Sequence, residues 1–253
     1  MNLDTVMRRT IRWVCAVASA WCVYDTVLAA QRIDSNGVEW VLTIPTRRTP
    51  DSSPALPPEL PKGVDRITPL TIDVVVQRRP ASGAPQILRQ TIVRTADRIH
   101  IMVGEREWLF ERNPRDPRRA LASAVEHRSK TIVRYEETDL RMTMGIRGWV
   151  DVLSLGFDID WLAASTRTED VKVQDGIRFA RYAANGPHAP ARDLWWCEEQ
   201  VLPSRFTVGD KSGNTEFAIE RVRSGVDPSR LAPPEGRFPT YRVVGLADWL
   251  ERH

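Results

Sequence analysis

Leu70-Thr71-Ile72-Asp73-Val74-Val75-Val76-Gln77 is the stretch on which the fold class turns. Leu70, Ile72, Val74 and Val76 alternate with Thr71, Asp73, Val75 and Gln77, the period of two that puts one set of side chains on a buried sheet face. Downstream, Ala81-Ser82-Gly83-Ala84-Pro85 turns the chain into a β-branched run over 87–95, and a third run over 98–103 meets a turn at Gly104-Glu105 before 108–110. Residues 113–119 are charged and hold Pro114 and Pro117, a loop. After it, 121–126 and 131–135 pair about a turn at Arg128-Ser129-Lys130. Consecutive strands with short links predict an antiparallel meander.

One segment breaks this rhythm. Ile146, Trp149, Val150 and Leu153 stand at i, i+3, i+4 and i+7, one face of a helix that Gly156 is placed to end. Asp158 is an N-cap for a second short helix carrying Ile159, Leu162 and Ala163. Strands then resume over 171–173 and 178–182 about Asp175-Gly176, and again over 194–199 after the loop at 185–190. A late hairpin pairs 204–208 with 215–222 across the turn 209–214, and Ala247-Asp248-Trp249-Leu250 is a short closing helix.

Upstream, seven prolines between 45 and 69 rule out a helix or central strand, so that segment is an extended spacer or a surface wrap. Trp40, Leu42 and Ile44 ahead of it alternate as one short strand. The first thirty residues are a targeting segment. Arg8, Arg9 and Arg12 precede twelve uncharged apolar or small residues, 13–24, and Val27-Leu28-Ala29 is a small-residue cleavage pattern. Twelve residues fall short of the roughly 20 needed to span a bilayer, so we read a secretory signal peptide cleaved near Ala29. An uncleaved anchor is the first alternative; a lipoprotein signal at Cys22 is the second, opposed by the bulky Trp21. The expected organisation is a signal peptide over 1–29, a strand and proline-rich spacer over 30–66, and a β domain over 67–253, working in the periplasm without a membrane span.

Three arginines and two aspartates leave with the leader, so the formal charge falls from +3 to +2. That excludes the strongly basic face nucleic acid requires. Cys15 and Cys22 leave too, and Cys197 alone cannot form an intramolecular disulfide; beside Trp195 and Trp196 it reads as a small buried apolar residue. His100, His127, His188 and His253 have no metal-ligand spacing, and no His-Glu-x-x-His, Gly-x-Ser-x-Gly, phosphate loop or dinucleotide fingerprint occurs. The carboxylate pairs Glu136-Glu137, Asp158/Asp160 and Glu198-Glu199 are most simply solvated edges. No catalytic residue, metal or cofactor is expected; a hydrolase with an unfamiliar site is the enzymatic alternative.

Four segments carry a resemblance: Val201-Leu202-Pro203-Ser204-Arg205-Phe206, Asp210-Lys211-Ser212-Gly213, Gly225-Val226-Asp227 and Phe238-Pro239. In this order they resemble the terminal strands of the outer-membrane lipoprotein carrier (LolA-like) superfamily. The resemblance implies a mainly β fold with a few helices, in which a curved antiparallel sheet forms an incomplete barrel with short helices over its concave face. It also implies binding of a lipid or of the acyl chain of a lipoprotein, or an envelope-sensing role, without catalysis. The proline-rich leader departs from that pattern, and no functional residue is carried over. Independently, an inward sheet face of Leu70, Ile72, Val74 and Val76 under a helix face with Trp149, Val150 and Leu153 either encloses an apolar pocket or packs solid. The candidate ligand-binding residues are these seven. The alternative function is a protein-interaction or stress-sensing module of the envelope that uses the sheet edge or the proline segment.

Overall fold

The computed structural model describes residues 32–34, 37–39, 57–103, 105–185, 191–210 and 213–252. The expected leader, the strand expected at 40–44, His188 and His253 lie outside the described residues. Strands β1 (Arg32–Asp34) and β2 (Gly37–Glu39) form a small antiparallel pair of their own. From Pro57 the chain joins the main body, where Val64 and Ile67 are buried in the core.

A run of six strands follows: β3 (Leu70–Pro80), β4 (Gln86–Arg94), β5 (Arg98–Val103), β6 (Arg106–Arg112), β7 (Ala120–Glu126) and β8 (Thr131–Tyr135). Three short helices come next, α1 (Glu137–Met144), α2 (Trp149–Leu153) and α3 (Ile159–Ala163). A second run of strands, β9 (Ser165–Gln174), β10 (Ile177–Ala184), β11 (Ala191–Cys197), β12 (Leu202–Asp210) and β13 (Gly213–Ser224), is followed by α4 (Pro234–Arg237), β14 (Arg242–Gly245) and α5 (Leu246–Arg252). All but the first two strands form one twelve-stranded open sheet in the order 14-8-7-6-5-4-3-13-12-11-10-9. Every neighbouring pair is antiparallel except β14, which lies parallel to β8. The expected mainly β architecture with short helices is thus the observed one.

The alternation that opened the sequence reading is realised on β3: Leu70, Ile72 and Val74 are buried, and Thr71, Asp73 and Val75 are half-buried. The sheet is not flat. Arg94, on β4, donates to the carbonyl of Gln200 at 2.5 Å, in the turn joining β11 to β12. β12 stands three places from β4, which a flat sheet would hold about 14 Å away, twice the reach of an arginine. The far strands therefore curl back over the face that carries Arg94.

The helical segment differs from expectation. A helix over 137–144 was not foreseen; a capping box between Glu136 and Asp139 starts it, and Gly145 at φ 67° ends it. That stop removes Ile146 from the helix of Trp149, which begins only after Gly148 and holds five residues. Asp158 does cap α3, accepting from the Asp160 amide. The β12–β13 ladder runs further than expected, pairing Asp210 with Gly213 and taking in most of the turn expected over 209–214. The β9–β10 turn has φ 50° at Asp175 and 81° at Gly176, the positive pair that a two-residue hairpin requires.

Gly213 has φ 137°, and a Cβ there would collide with the Arg79 carbonyl oxygen and lie 2.7 Å from Pro80 Cα. Gly213→Ala is expected to cost about 2 kcal/mol, read as a fall of roughly 4–8 °C in thermal midpoint. An unchanged midpoint would show that the β3–β13 contact does not constrain this turn.

Candidate functional site

Period two and register assign the inner face. Val74 pairs with Gln90 and Leu70 with Arg94, so Leu88, Gln90, Ile92 and Arg94 of β4 share the face of Leu70, Ile72 and Val74. Ile92 pairs with Ile101 and Ile101 with Trp108, which carries the face across β5 to β6. On the other side Phe217 of β13 stacks on Phe206 of β12, and Phe206 meets Phe157, which follows α2. Phe157 also packs on Trp161 of α3 and Trp196 of β11.

The helices form one cover. Arg147 makes a two-pronged ion pair with Asp151, with N–O distances of 2.8 and 3.0 Å, and also reaches Asp158 at 3.1 Å and Asp160 at 3.0 Å. Burial alone would lower the Arg147 pKa, but its carboxylate partners outweigh burial and raise it. Asp158 is therefore a buried ion-pair member and helix cap, not the solvated edge expected from its sequence neighbours. The clamp ties the start of α2 to α3.

Hydrogen bonds fasten the cover to the rest of the fold. Arg94 donates to the Leu153 carbonyl at 3.1 Å, the Trp149 indole to the Ala96 carbonyl at 2.8 Å, and the Trp149 amide to the Arg118 carbonyl at 2.7 Å. Arg94 is wholly buried, and burial pushes its guanidinium down to about 10, so it remains charged at neutral pH. Its hydrogen bonds go to carbonyls, and its Nε has no partner. Other polar atoms on or beside this face are also buried without a protein partner: both amide atoms of Gln90, the Trp108 indole nitrogen and the Ser204 hydroxyl.

Six of the seven residues picked from the sequence belong to one apolar cluster or pack against it. Leu70, Ile72, Val74, Trp149 and Leu153 are its members, with Val76 packed against it; Val150 is fully buried but outside that cluster. The polar residues on this face, Gln90 and Arg94, were not anticipated. Their signal is a pair of polar residues at inward positions that alternate with Leu88 and Ile92 along one strand.

The opposite face holds a second cluster. Glu107 is buried and accepts from His100 at 2.8 Å, His127 at 2.9 Å and Arg237 at 2.7 Å. His127 also meets the Tyr241 hydroxyl at 3.1 Å, and Phe238 stacks on Tyr241. With Leu231 packed on Val93 and Leu109, this network docks the C-terminal segment on the sheet. Burial would raise the Glu107 pKa, but the hydrogen bonds from His100, Arg237 and His127 win and hold it at about 2. Cys197 is buried, and burial pushes its thiol upward. Among the described residues no group of three or more His, Cys, Asp or Glu is placed to hold a metal ion. No helix among them is long and apolar enough to cross a membrane.

No family model and no curated protein matches the chain. Solved structures do. A LolA superfamily protein, NE2245 from Nitrosomonas europaea, is similar at 9% identity and a TM-score of 0.34, over 68% of this chain and 94% of that one. MucB is similar at 14% identity and a TM-score of 0.33, over 69% and 58%. PNGF-II is similar at 8% identity and a TM-score of 0.39, over 73% of this chain but 32% of its own length.

The Glu107 network sets an acid dependence. Because its folded pKa lies below the ordinary 4.5, its contribution is complete above about pH 4.5 and is lost as pH falls toward about 2. Glu107→Gln is expected to lower stability by about 1–3 kcal/mol near neutrality, with the gap from wild type closing below about pH 4.5 in a series of thermal midpoints. A gap that stays constant down to about pH 2 would refute this assignment.

Proposed function

We propose that this chain is a non-catalytic carrier of the bacterial cell envelope that takes a lipid, or the acyl chain of a lipoprotein, between the inner sheet face and its helical cover. The observation that carries this reading is the build of the cover. Trp149 and Leu153 are buried in the core cluster, and the unit that presents them is clamped internally by Arg147 and joined to the sheet through Arg94, the Trp149 indole and, at the end of α3, the Ser165 hydroxyl and the Asn185 amide. Such a unit can lift as a body and exchange its own apolar contacts for those of an acyl chain. Each methylene buried in that exchange contributes about 0.8 kcal/mol, so a long chain offsets the contacts that Trp149 and Leu153 give up. Val150 is assigned to the cover with them, and Leu70, Ile72, Val74 and Val76 to the wall.

The same reading assigns residues 1–29 to a cleaved periplasmic signal peptide, 30–66 to a strand and spacer, and 67–253 to the carrier domain, with Val64 the spacer's anchor in the core. A specific observation favours a second reading, the envelope interaction module: the edge strand β9 leaves Val173 70% exposed, a template for a partner strand.

Native mass spectrometry of residues 30–253 purified from a bacterial envelope, followed by lipid extraction, tests the carrier. A stoichiometric acylated species displaced by added lipid supports it. A mass that stays apo after incubation with lipids and lipopeptides overturns it and favours the β9 edge.

Arg94→Leu removes one fastening of the cover and one of the β11–β12 turn. It is expected to speed uptake of a fluorescent fatty acid by about tenfold or more, from the loss of hydrogen bonds to a charged group worth about 1.5–3 kcal/mol each. Slower or unchanged uptake in the folded variant would show that Arg94 does not hold the cover closed.

A further inference from the structure

Gln90 stands where an apolar residue would be expected. Along β4 its inward neighbours are Leu88 and Ile92, and across the ladder it faces Val74. It is 4% exposed, yet neither Nε2 nor Oε1 has a hydrogen-bond partner in the protein. Two strands away on the same face, the Trp108 indole is 3% exposed, its ring packed on Phe110 and Tyr135, and its Nε1 also lacks a partner. A carboxamide offers donors and an acceptor side by side, and an indole offers a donor only. Leaving such atoms unpaired disfavours the closed, unloaded protein, and polar groups set in an apolar site fix which ligand is accepted.

Resting on the carrier reading, we infer that Gln90 is a specificity-determining residue that selects acyl chains bearing a group able both to accept and to donate a hydrogen bond, with the Trp108 indole as a second donor. A plain hydrocarbon tail pairs none of these atoms. An ester or a carboxylate accepts only, and leaves Gln90 Oε1 unpaired. The hydroxyl of a hydroxyacyl chain, or the amide of an N-acyl chain, pairs both ends of the carboxamide. These share one chemistry, and direct comparison separates them.

The test is displacement of an anthroyloxy fatty acid from the mature chain by palmitic acid, β-hydroxypalmitic acid and N-palmitoylglycine, in wild type, Gln90→Leu and Trp108→Phe. One or both polar-substituted ligands are expected to bind wild type about tenfold more tightly than palmitic acid, the effect of a satisfied buried pair. The tighter of the two names the source. Gln90→Leu is expected to abolish that preference and raise the thermal midpoint, since an unpaired amide gives way to an apolar side chain of similar volume. Trp108→Phe is expected to weaken the preferred ligand several-fold and palmitic acid not at all. Equal binding of all three ligands to wild type overturns the inference while leaving the carrier reading standing. Failure of the fluorescent fatty acid itself to bind overturns both.

Discussion

The architecture depends on the ladder between β3 and β13, which runs from Gly213 opposite Pro80 to Ser224 opposite Leu70. It joins two meanders, β3 to β8 and β9 to β13, back to back at the middle of the sheet. Once they are joined there, β8 lies second from one end and β9 at the other. The chain must travel from the first to the second through residues 136–164, and the only route that keeps its apolar side chains dry crosses the inner face. The cover is therefore a consequence of strand order: a link this long, passing over a buried face, has to be amphipathic. Its short helices and the Arg147 clamp are how the sequence meets that demand.

The two faces use their buried polar groups for different contacts. On the outer face one carboxylate, Glu107, gathers two histidines and an arginine into a compact network that staples the C-terminal segment down. Paired charges at such close range rigidify what they join. On the inner face the charged group, Arg94, is spent on carbonyls, and Gln90 has nothing to bond to within the protein. Buried polar atoms without a protein partner occur on both faces: Gln90 Nε2 and Oε1 and Arg94 Nε on the inner one, His100 Nδ1 and Arg237 Nε on the outer one.

Most of the sheet was legible because period two is a local property. Leu70 to Val76 shows its buried face without reference to any partner, and the turn at Asp175-Gly176 announces itself through residues suited to positive φ. The helical region was half legible. Asp158 declared a cap, but the spacing of Ile146, Trp149, Val150 and Leu153 suggested one helix where Gly145 and Gly148 cut the chain into pieces. Local periodicity does not register a break that tertiary packing demands. The apolar members of the candidate site were found because burial and hydrophobicity coincide. Gln90, Arg94 and Glu107 were missed because a polar residue on a strand reads as solvent-facing until its neighbours across the sheet are known, and β14 was missed because its pairing with β8 is set from more than a hundred positions away.

The ladder at the centre also orders the folding of the chain. The Thr71 hydroxyl bonds the carbonyl of Gly225, 154 positions later, whereas β3 to β8 are built from neighbour-to-neighbour hairpins. Loop closure over such a span is entropically costly and comes late, while local hairpins form early. A nascent chain thus acquires half a sheet whose central strand β3 remains an open edge until residues 213–224 arrive. During that interval Leu70, Ile72 and Val74 border both an unpaired backbone and an uncovered face, the combination most exposed to wrong pairing with other chains. The arrival of β13, which pairs that edge, is therefore also what ends the chain's period of greatest risk of aggregation.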